Sequence, residues 1–390
     1  LKIEFSKEER AFRERVRDWL ADHKPGNPRP TSRWDEIGDF DLAWQKTKYA
    51  GGFGAVTWPK AYGGAGLSPV EQLIWFEELA RAGAPDVGSL SPALNHAGPT
   101  LIAVGTEEQK SFHLPQILKG EVIWSQGFSE PGAGSDLGNL KMRADIDGDD
   151  LVLNGQKIWT SYGQFAKYQE TLVRTDPNVG KHKGITWLIV DMETPGIDVR
   201  PLDTIANDRH FCEVFYDNVR VPLSNVVGGL GNGWKTGMVT LNNERTAGAA
   251  SHSAELAHAI EELIEIARTR TDGNGRPMIA DEELAARLAR HRAEGAALCA
   301  MTYAIISQQN RGQQPGPEVA LPYLYFGELL QRVRLTSLDI LGGDALALDS
   351  RFEKWTRGYL ADRMYVIAGG SVEVRRNIIA QSMLGLPRSY

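Results

Sequence analysis

The sequence predicts an α+β multidomain chain: a helical domain over residues 1–120, an antiparallel β module (a barrel or a sandwich) over 121–228, and a helical bundle over 229–390. Three observations predict it. Helical periodicity dominates both ends of the chain. The stretch between them breaks into short alternating runs separated by turn signals. Strand and helix never alternate along the chain, as they would in a doubly wound nucleotide fold.

The first domain opens at Ser6, which precedes KEERAFRERVRDWLA with Phe12, Val16, Trp19 and Leu20 on one face. This segment is charged and amphipathic, unlike a signal peptide. Further helices are predicted over 36–50, 69–82, 86–104 and 106–118, and the loop WPKAYGGAGLSP breaks the series. In the middle domain VIWSQGF, LKMRADID, DLVLNGQKIWT, YQETLVRT, GITWLIVDM, DVRPL and CEVFYDNVRV read as strands, with DGDD, PNVG and TPG between them. Asn154-Gly155 reads as a hairpin turn. The last domain starts near Gly233 with a helical pattern of more than thirty residues, ended by TDGNGRP. ELAARLARHRAEGAALCAMTYAIISQQN, a helix from near Pro317 to about 341, and a pair around 353–384 complete the bundle.

Composition removes several functional classes. A net charge of −7 argues against a nucleic-acid protein, which carries a basic patch. No apolar run approaches the roughly 18–20 residues of a membrane span. The two cysteines, Cys212 and Cys299, are far apart and match no CxxC spacing, so neither a disulfide framework nor a zinc site is predicted. That fits a reducing, cytoplasmic setting. The histidines are scattered and HExxH is absent, so no metal is predicted.

Two motifs stand out. GFSEPGAGSDLG, residues 127–138, follows an apolar strand. Gly132 and Gly134 would let a backbone approach a ligand closely, and Ser129 and Ser135 offer hydroxyls for a ring edge or a phosphate. The same residues would also serve an ordinary glycine-rich turn. NGQKIWTS, residues 154–161, would present Trp159 and Ser161 on one side of a strand, since side chains alternate. An aromatic plane beside a hydroxyl suits a flat cofactor with a polar edge, and it equally suits plain sheet core.

The chain resembles the flavin-dependent acyl-CoA dehydrogenase family. The resemblance rests on GFSEPGAGSDL, NGQKIWTS, WPKAYGGAGL, VGTEEQKSFHLPQILKGE and GGSVEVRRNIIAQSMLGL, in order along nearly the whole chain. It implies a helical domain, a small β domain and a C-terminal four-helix domain, with FAD as cofactor. By resemblance the backbone of Phe128 and Ser129 meets the flavin pyrimidine edge. Ser135 lies by the phosphate or pantetheine portion, Trp159 packs on the isoalloxazine, and Ser161 approaches its N5 region, with Gly134 and Thr160 also in the implied cofactor set. Gly342, Gly343 and Ser371 complete the implied cofactor set. The implied partners are an acyl-CoA substrate, an electron-transfer flavoprotein as acceptor, and further subunits in a dimer or tetramer.

The reaction the resemblance implies needs a base for the α-proton, polarisation of the thioester carbonyl, and a dry site. Many family members carry the base as a Glu just before the last helix. Here that place reads IAGGSVE, and the matching residue is Gly369. Isovaleryl-type relatives instead carry it in a Leu-x-x-Glu-Arg context on a bundle helix. Leu241, Glu244 and Arg245 match that pattern in TLNNERTAG. Glu244 shares its helix face with Thr240, Leu241, Ala247 and Gly248; from that stretch alone it reads as an ordinary solvated helix residue, whereas the resemblance implies a carboxylate shielded from water with room for an acyl chain. Arg245, on a different face, would bind the nucleotide end of the substrate or hold the bundle. The N–H of Gly369, at a helix start capped by Ser371, would polarise the carbonyl, with Gly370 leaving space for substrate. That space favours branched or bulky acyl groups, including steroid-derived ones.

The sequence departs from the family at the subunit rim. The Arg-Phe-Gly expected after the long helix is replaced by RTRTDGNGRP, where Arg268 or Arg270 would substitute. The Gln-x-x-Gly-Gly turn is replaced by LDILGGDALA, which keeps only Gly342-Gly343. A poor rim for a neighbour's flavin suggests a mixed assembly, a hetero-oligomer with a related subunit, beside the homo-oligomer the family otherwise implies. Two further readings stand beside an active dehydrogenase: a non-catalytic flavin- and acyl-CoA-binding subunit, and an oxidase.

Overall fold

The computed structural model describes residues 4–30, 34–313, 316–347 and 351–387, with the side chains of Trp34, Arg245, Thr246 and Ala247 outside the described set. In chain order these form helices α1 (Lys7–His23), α2 (Trp34–Ala50), α3 (Pro69–Ala82), α4 (Gly98–Val104) and α5 (Glu107–Leu118). Strands follow: β1 (Trp124–Gly127), β2 (Arg143–Asp147), β3 (Asp150–Ser161), β4 (Tyr168–Arg174), β5 (Ile185–Asp191), β6 (Ile197–Leu202), β7 (Phe211–Pro222) and β8 (Val226–Val227). Helices α6 (Gly233–Thr269), α7 (Glu282–Asn310), α8 (Ala320–Leu341), α9 (Glu353–Ala361) and α10 (Val372–Ile378) end the chain. The chain divides into two compact units. One comprises His23–Leu67 and Pro85–Glu244; the other comprises Leu1–Asp22, Ser68–Ala84 and Arg245–Tyr390.

The strand-rich unit is built on a sheet of order β6-β7-β3-β2-β4-β5-β8. Its pairs are antiparallel except along β4, which β1 joins in parallel and β2 touches in parallel at one residue. The sequence predicts an antiparallel module throughout. The difference arises because the β2–β3 hairpin intervenes between β1 and β4 and supplies the crossover that parallel neighbours require. Leu151, Leu153, Val173, Leu188, Val190 and Val214 fill one apolar cluster along the sheet. Trp58, Leu94, Leu101, Trp124 and Trp187 anchor a second, which gathers the helices of this unit with β1 and β5.

Asn154-Gly155 is not the predicted hairpin turn. Both residues lie within β3, where the register against β7 shifts between Leu153 and Gly155. Gly155 has φ 148°, and a Cβ there would stand 2.9 Å from the Met142 side chain and 3.0 Å from its Cα. Glycine therefore serves a bulge and a close strand approach rather than a reversal. The β2–β3 reversal falls at DGDD, with Gly148 left-handed at φ 62°. The single helix predicted over 86–104 is also divided: a 3-10 turn at Gly88–Leu90 and a π-helical turn at Pro92–Ala97 precede α4. Pro92 and Pro99 each lack an N–H donor, so the regular ladder cannot run through this stretch.

In the helical unit α3 starts at a complete capping box, Ser68 with Glu71, has Pro69 at its first turn, and ends on left-handed Gly83. The core is Leu256, Ile260 and Leu263 of α6 against Leu284 and Leu288 of α7, Leu329 and Val333 of α8, and Trp355 of α9. A polar knot ties α1, α3 and α7. Glu78, 3% exposed, accepts hydrogen bonds from Arg13 at 2.9 Å and from Arg17 at 3.0 Å, while Glu77 accepts from Arg13 at 2.6 Å and from the Tyr303 hydroxyl. Burial alone would raise the Glu78 carboxyl; hydrogen bonds from Arg17 and Arg13 outweigh it and hold the group below its ordinary 4.5.

A carboxyl held below its ordinary value contributes stability above that value and loses it as pH falls through the folded one. We expect Glu78→Gln to cost on the order of 2 kcal/mol at neutral pH, less than a fully buried pair because Arg17 is half-exposed. The deficit should shrink below about pH 4. Denaturant titrations of both proteins across pH check it.

Candidate functional site

The glycine-rich motif forms the loop between β1 and β2, and its shape is set by one buried ion pair. Lys157 points inward from β3 and is fully buried. Its Nζ donates to Glu130 Oε1 at 2.8 Å and to the Phe128 carbonyl at 3.1 Å. The Glu130 carboxylate also accepts the N–H groups of Lys141 at 2.7 Å and Met142 at 2.9 Å. Glu130 and Ala133 exchange a pair of backbone hydrogen bonds that closes the turn. Burial pushes the Lys157 ammonium down to about 8, against the pull of Glu130.

The outer side of the loop is thereby defined. Ile158 N–H donates to the Ser129 carbonyl at 3.0 Å, fastening the loop to β3 one residue before Trp159. The Phe128 carbonyl faces Lys157, and a trans peptide directs the Ser129 N–H to the opposite side. The Phe128 ring itself is core. At Gly132 and Gly134 a Cβ would meet nothing within 4 Å, so the loop borders open space there. Gly134 and Ser135 are exposed.

Alternation breaks between buried Lys157 and exposed Trp159, while Trp159 and Ser161 both lie on the outer side of buried Thr160, as predicted. The β3–β7 register shifts between Lys157 and Thr160, and Trp159 sits at φ 60° with 57% exposure. A left-handed tryptophan is strained, and its large apolar ring faces outward with Phe211 edge-on at 5.8 Å. Ser161 is half-buried. Thr160 is fully buried, with its methyl 3.0 Å from where a Gly163 Cβ would stand and its Oγ1 without a partner among the described residues. An outward aromatic plane, half-exposed Ser129 and Ser161, and open glycines form a donor set that fits a flat ring with a polar edge and a phosphate tail.

Glu244, at the end of this unit, is half-buried on α6; Leu241 packs on the apolar cluster and Thr240 is fully buried. Thr240 Oγ1 meets Thr100 Oγ1 of α4 at 2.8 Å. Nearby is a cluster that sequence reasoning missed. His96 Nδ1 lies 3.2 Å from Glu170 Oε1, and Gln126 Nε2 lies 2.9 Å from that oxygen and 3.1 Å from Nδ1. Glu170 is fully buried, and its Oε2 has no partner among the described residues. A carboxylate inside the apolar run YQETLVR was the available signal, since unpaired charge is not buried there.

The other implied residues belong to the helical unit. Gly369 and Gly370 are left-handed at φ 65° and 94°, which restricts both positions to glycine. Ser371 caps α10, accepting from the Val374 N–H. Arg375, buried on α10, donates to the carbonyls of Tyr365 at 3.0 Å and of Ala368, just before Gly369. Gly342 is left-handed at φ 54°, and it and Gly343 border open space. Arg270 is committed to its own chain, donating to Asp344 at 2.7 Å and the Leu341 carbonyl at 2.8 Å, whereas Arg268 meets only Glu265 at 3.4 Å among the contacts described. The room expected beside Gly248 is occupied: a Cβ there would stand 3.1 Å from the His252 ring, which i,i+4 spacing brings over it. The side chains of Arg245 and Ala247 lie outside the described residues.

Comparison with known proteins matches residues 6–121, 125–219 and 231–384 to the N-terminal, middle and C-terminal domains of acyl-CoA dehydrogenases. The chain is 36% identical over 397 residues to acyl-CoA dehydrogenase IpdE1 of Mycobacterium tuberculosis, covering 97% of each. Among solved structures it is similar to the ChsE4-ChsE5 complex of Mycobacterium tuberculosis, with a TM-score of 0.86, 34% identity and full coverage of both chains. It is also similar to the Tcur3481-Tcur3483 steroid acyl-CoA dehydrogenase, with a TM-score of 0.87, 30% identity and full coverage of both. With its three domains matched in order, the chain belongs to the FAD-dependent acyl-CoA dehydrogenase family of oxidoreductases.

Proposed function

We propose that the chain catalyses α,β-dehydrogenation of an acyl-CoA thioester to the trans-2-enoyl-CoA, with Glu244 as the base. The observation that carries this reading is complementary: left-handed Gly369 stands where many relatives have an acid, and Glu244 is half-buried on α6 in a Leu-x-x-Glu-Arg context. Bound FAD supplies the acceptor for the β-hydrogen. The Glu244 carboxylate takes the α-proton and becomes the neutral acid. Ser129, through its outward N–H and hydroxyl, holds the polar edge of the cofactor, and the Trp159 ring covers its plane. Gly134, Ser135 and Ser161 border the same loop and strand, with Thr160 buried beneath them. In the helical unit the resemblance assigns the Gly369 N–H to the thioester carbonyl, Gly370 and Arg245 to substrate, and Gly342, Gly343 and Ser371 to the cofactor.

The acyl group we infer is branched or bulky, with steroid-derived thioesters foremost. The missing side chains at Gly369 and Gly370 support this, as does likeness to a steroid acyl-CoA dehydrogenase. We further infer assembly with a second, related subunit and electron transfer to an electron-transfer flavoprotein. An 88% exposed Leu346 beside the altered Gly342-Gly343 turn, and likeness to the ChsE4-ChsE5 complex, support the mixed assembly. No described helix is long and apolar enough to cross a membrane.

Three outcomes are expected. Glu244→Gln should retain the yellow colour and lose anaerobic bleaching by the cognate acyl-CoA, slowing it by about 100-fold or more; normal bleaching would sink the assignment. Across a panel of straight, branched and steroid CoA thioesters, bleaching should be fastest with the bulky ones, and a preference for straight medium chains would refute that substrate class. Lys157→Met removes the cation that shapes the loop and should weaken FAD binding by at least about tenfold, read by fluorescence titration.

A further inference from the structure

Glu244 has a neighbour whose position follows from helix register. A Cβ at Gly228 would stand 2.5 Å from Thr236 Oγ1 and 3.8 Å from Val104 Cγ2, so α6 at 236 and α4 at 104 meet there. One turn further along α6, Thr240 meets Thr100, one turn back along α4. The two helices therefore run antiparallel, and the next step brings Glu244 level with His96. Helical spacing places 236, 240 and 244 on one face. The Thr100 hydroxyl also donates to the His96 carbonyl at 2.7 Å, tying that residue to the same contact.

His96 is buried and clamped from behind. Glu170 Oε1 on β4 lies 3.2 Å from Nδ1, and Gln126 on β1 donates to the same oxygen at 2.9 Å. With Nδ1–H as the donor, Oε1 accepts from both. Burial pushes the Glu170 carboxyl up, and the hydrogen bond and charge of His96 and the hydrogen bond of Gln126 pull against it, so in its ionised form Glu170 is the counter-charge a buried imidazolium requires. Burial pushes the His96 imidazole down, but the Glu170 hydrogen bond and the charges of Glu244 and Glu170 outweigh it and hold the ring above its ordinary range. Those two carboxylates, from α6 and β4, are the charged groups that act on it; Gln126 from β1 is neutral.

We propose that His96, braced by Glu170 and Gln126, is a positioning residue that presents a fixed positive charge to Glu244 and keeps it a carboxylate ready to accept the α-proton. The proposal rests on Glu244 being the base. Its physical logic is that of an opposite charge in a site shielded from water, which favours the ionised form of each partner. The buried, half-satisfied Glu170 then has a function beyond structure: its charge maintains the one on His96.

Two measurements test it. In protein labelled with 13C at the histidine rings, the His96 signal, identified by its loss in His96→Asn, should titrate at a lower pH in Glu244→Gln and in Glu170→Gln. This readout needs neither substrate nor turnover. In anaerobic stopped-flow bleaching, His96→Asn should move the acid limb of the rate profile to higher pH, because the base loses a neighbouring cation. Glu170→Gln should move it the same way, and the double variant no further. If His96→Asn fails to fold, Glu170→Gln carries the same test. An unmoved His96 titration in Glu244→Gln, or an unmoved acid limb, overturns the proposal. If Glu244→Gln bleaches normally, it is instead the assignment of the base that fails.

Discussion

A lysine with no exposed surface keeps its charge only if acceptors meet it, and Lys157 finds two in the loop ahead of its own strand. The ion pair with Glu130 organises the rest of the strand-rich site. Glu130 in turn gathers the N–H groups at the start of the next segment, so one carboxylate fixes both ends of the glycine-rich loop. Because the lysine turns the Phe128 carbonyl inward, the next N–H must turn outward. Because Ile158 fastens Ser129, the loop and the exposed Trp159 ring are held side by side. The glycines are then free to border open space, since none of them has to hold the loop together.

A second constraint comes from helix packing. The Thr100–Thr240 contact uses small side chains to bring two helices close, and polar atoms at a buried contact must satisfy one another. The same register sets His96 opposite Glu244. The juxtaposition on which the proposed base and its proposed counter-charge rest thus follows from one hydroxyl pair and helical periodicity. The strained Trp159 is a comparable case: a residue held against its backbone preference with its ring facing outward.

Much of this was legible in the residues. The helix over 69–82 could be read to its ends, because a capping box, a proline and a C-terminal glycine are local signals. Every predicted strand corresponds to a strand, since alternation and turn chemistry act over a few residues. Where reading stopped, the cause was a partner distant in sequence. Asn154-Gly155 has the chemistry of a reversal, and only the nearby Met142 backbone makes it a bulge. The strand 157–161 loses its alternation at Trp159 for a similar reason. Gly248 looked like open space until His252, one turn on, proved to fill it.

By itself, then, the sequence determined the order of helical and β segments, the flavin motifs, the empty position at Gly369 and the presence of Glu244 in its Leu-x-x-Glu-Arg setting. All of these depend on residue type and local spacing. Tertiary structure alone decided that Lys157 shapes the loop, that β1 lies parallel to β4, that Arg270 is spent within its own chain, and that His96, Gln126 and Glu170 meet beside α6. Each of those joins residues 27 to 74 positions apart, through burial and hydrogen bonding that no local pattern encodes.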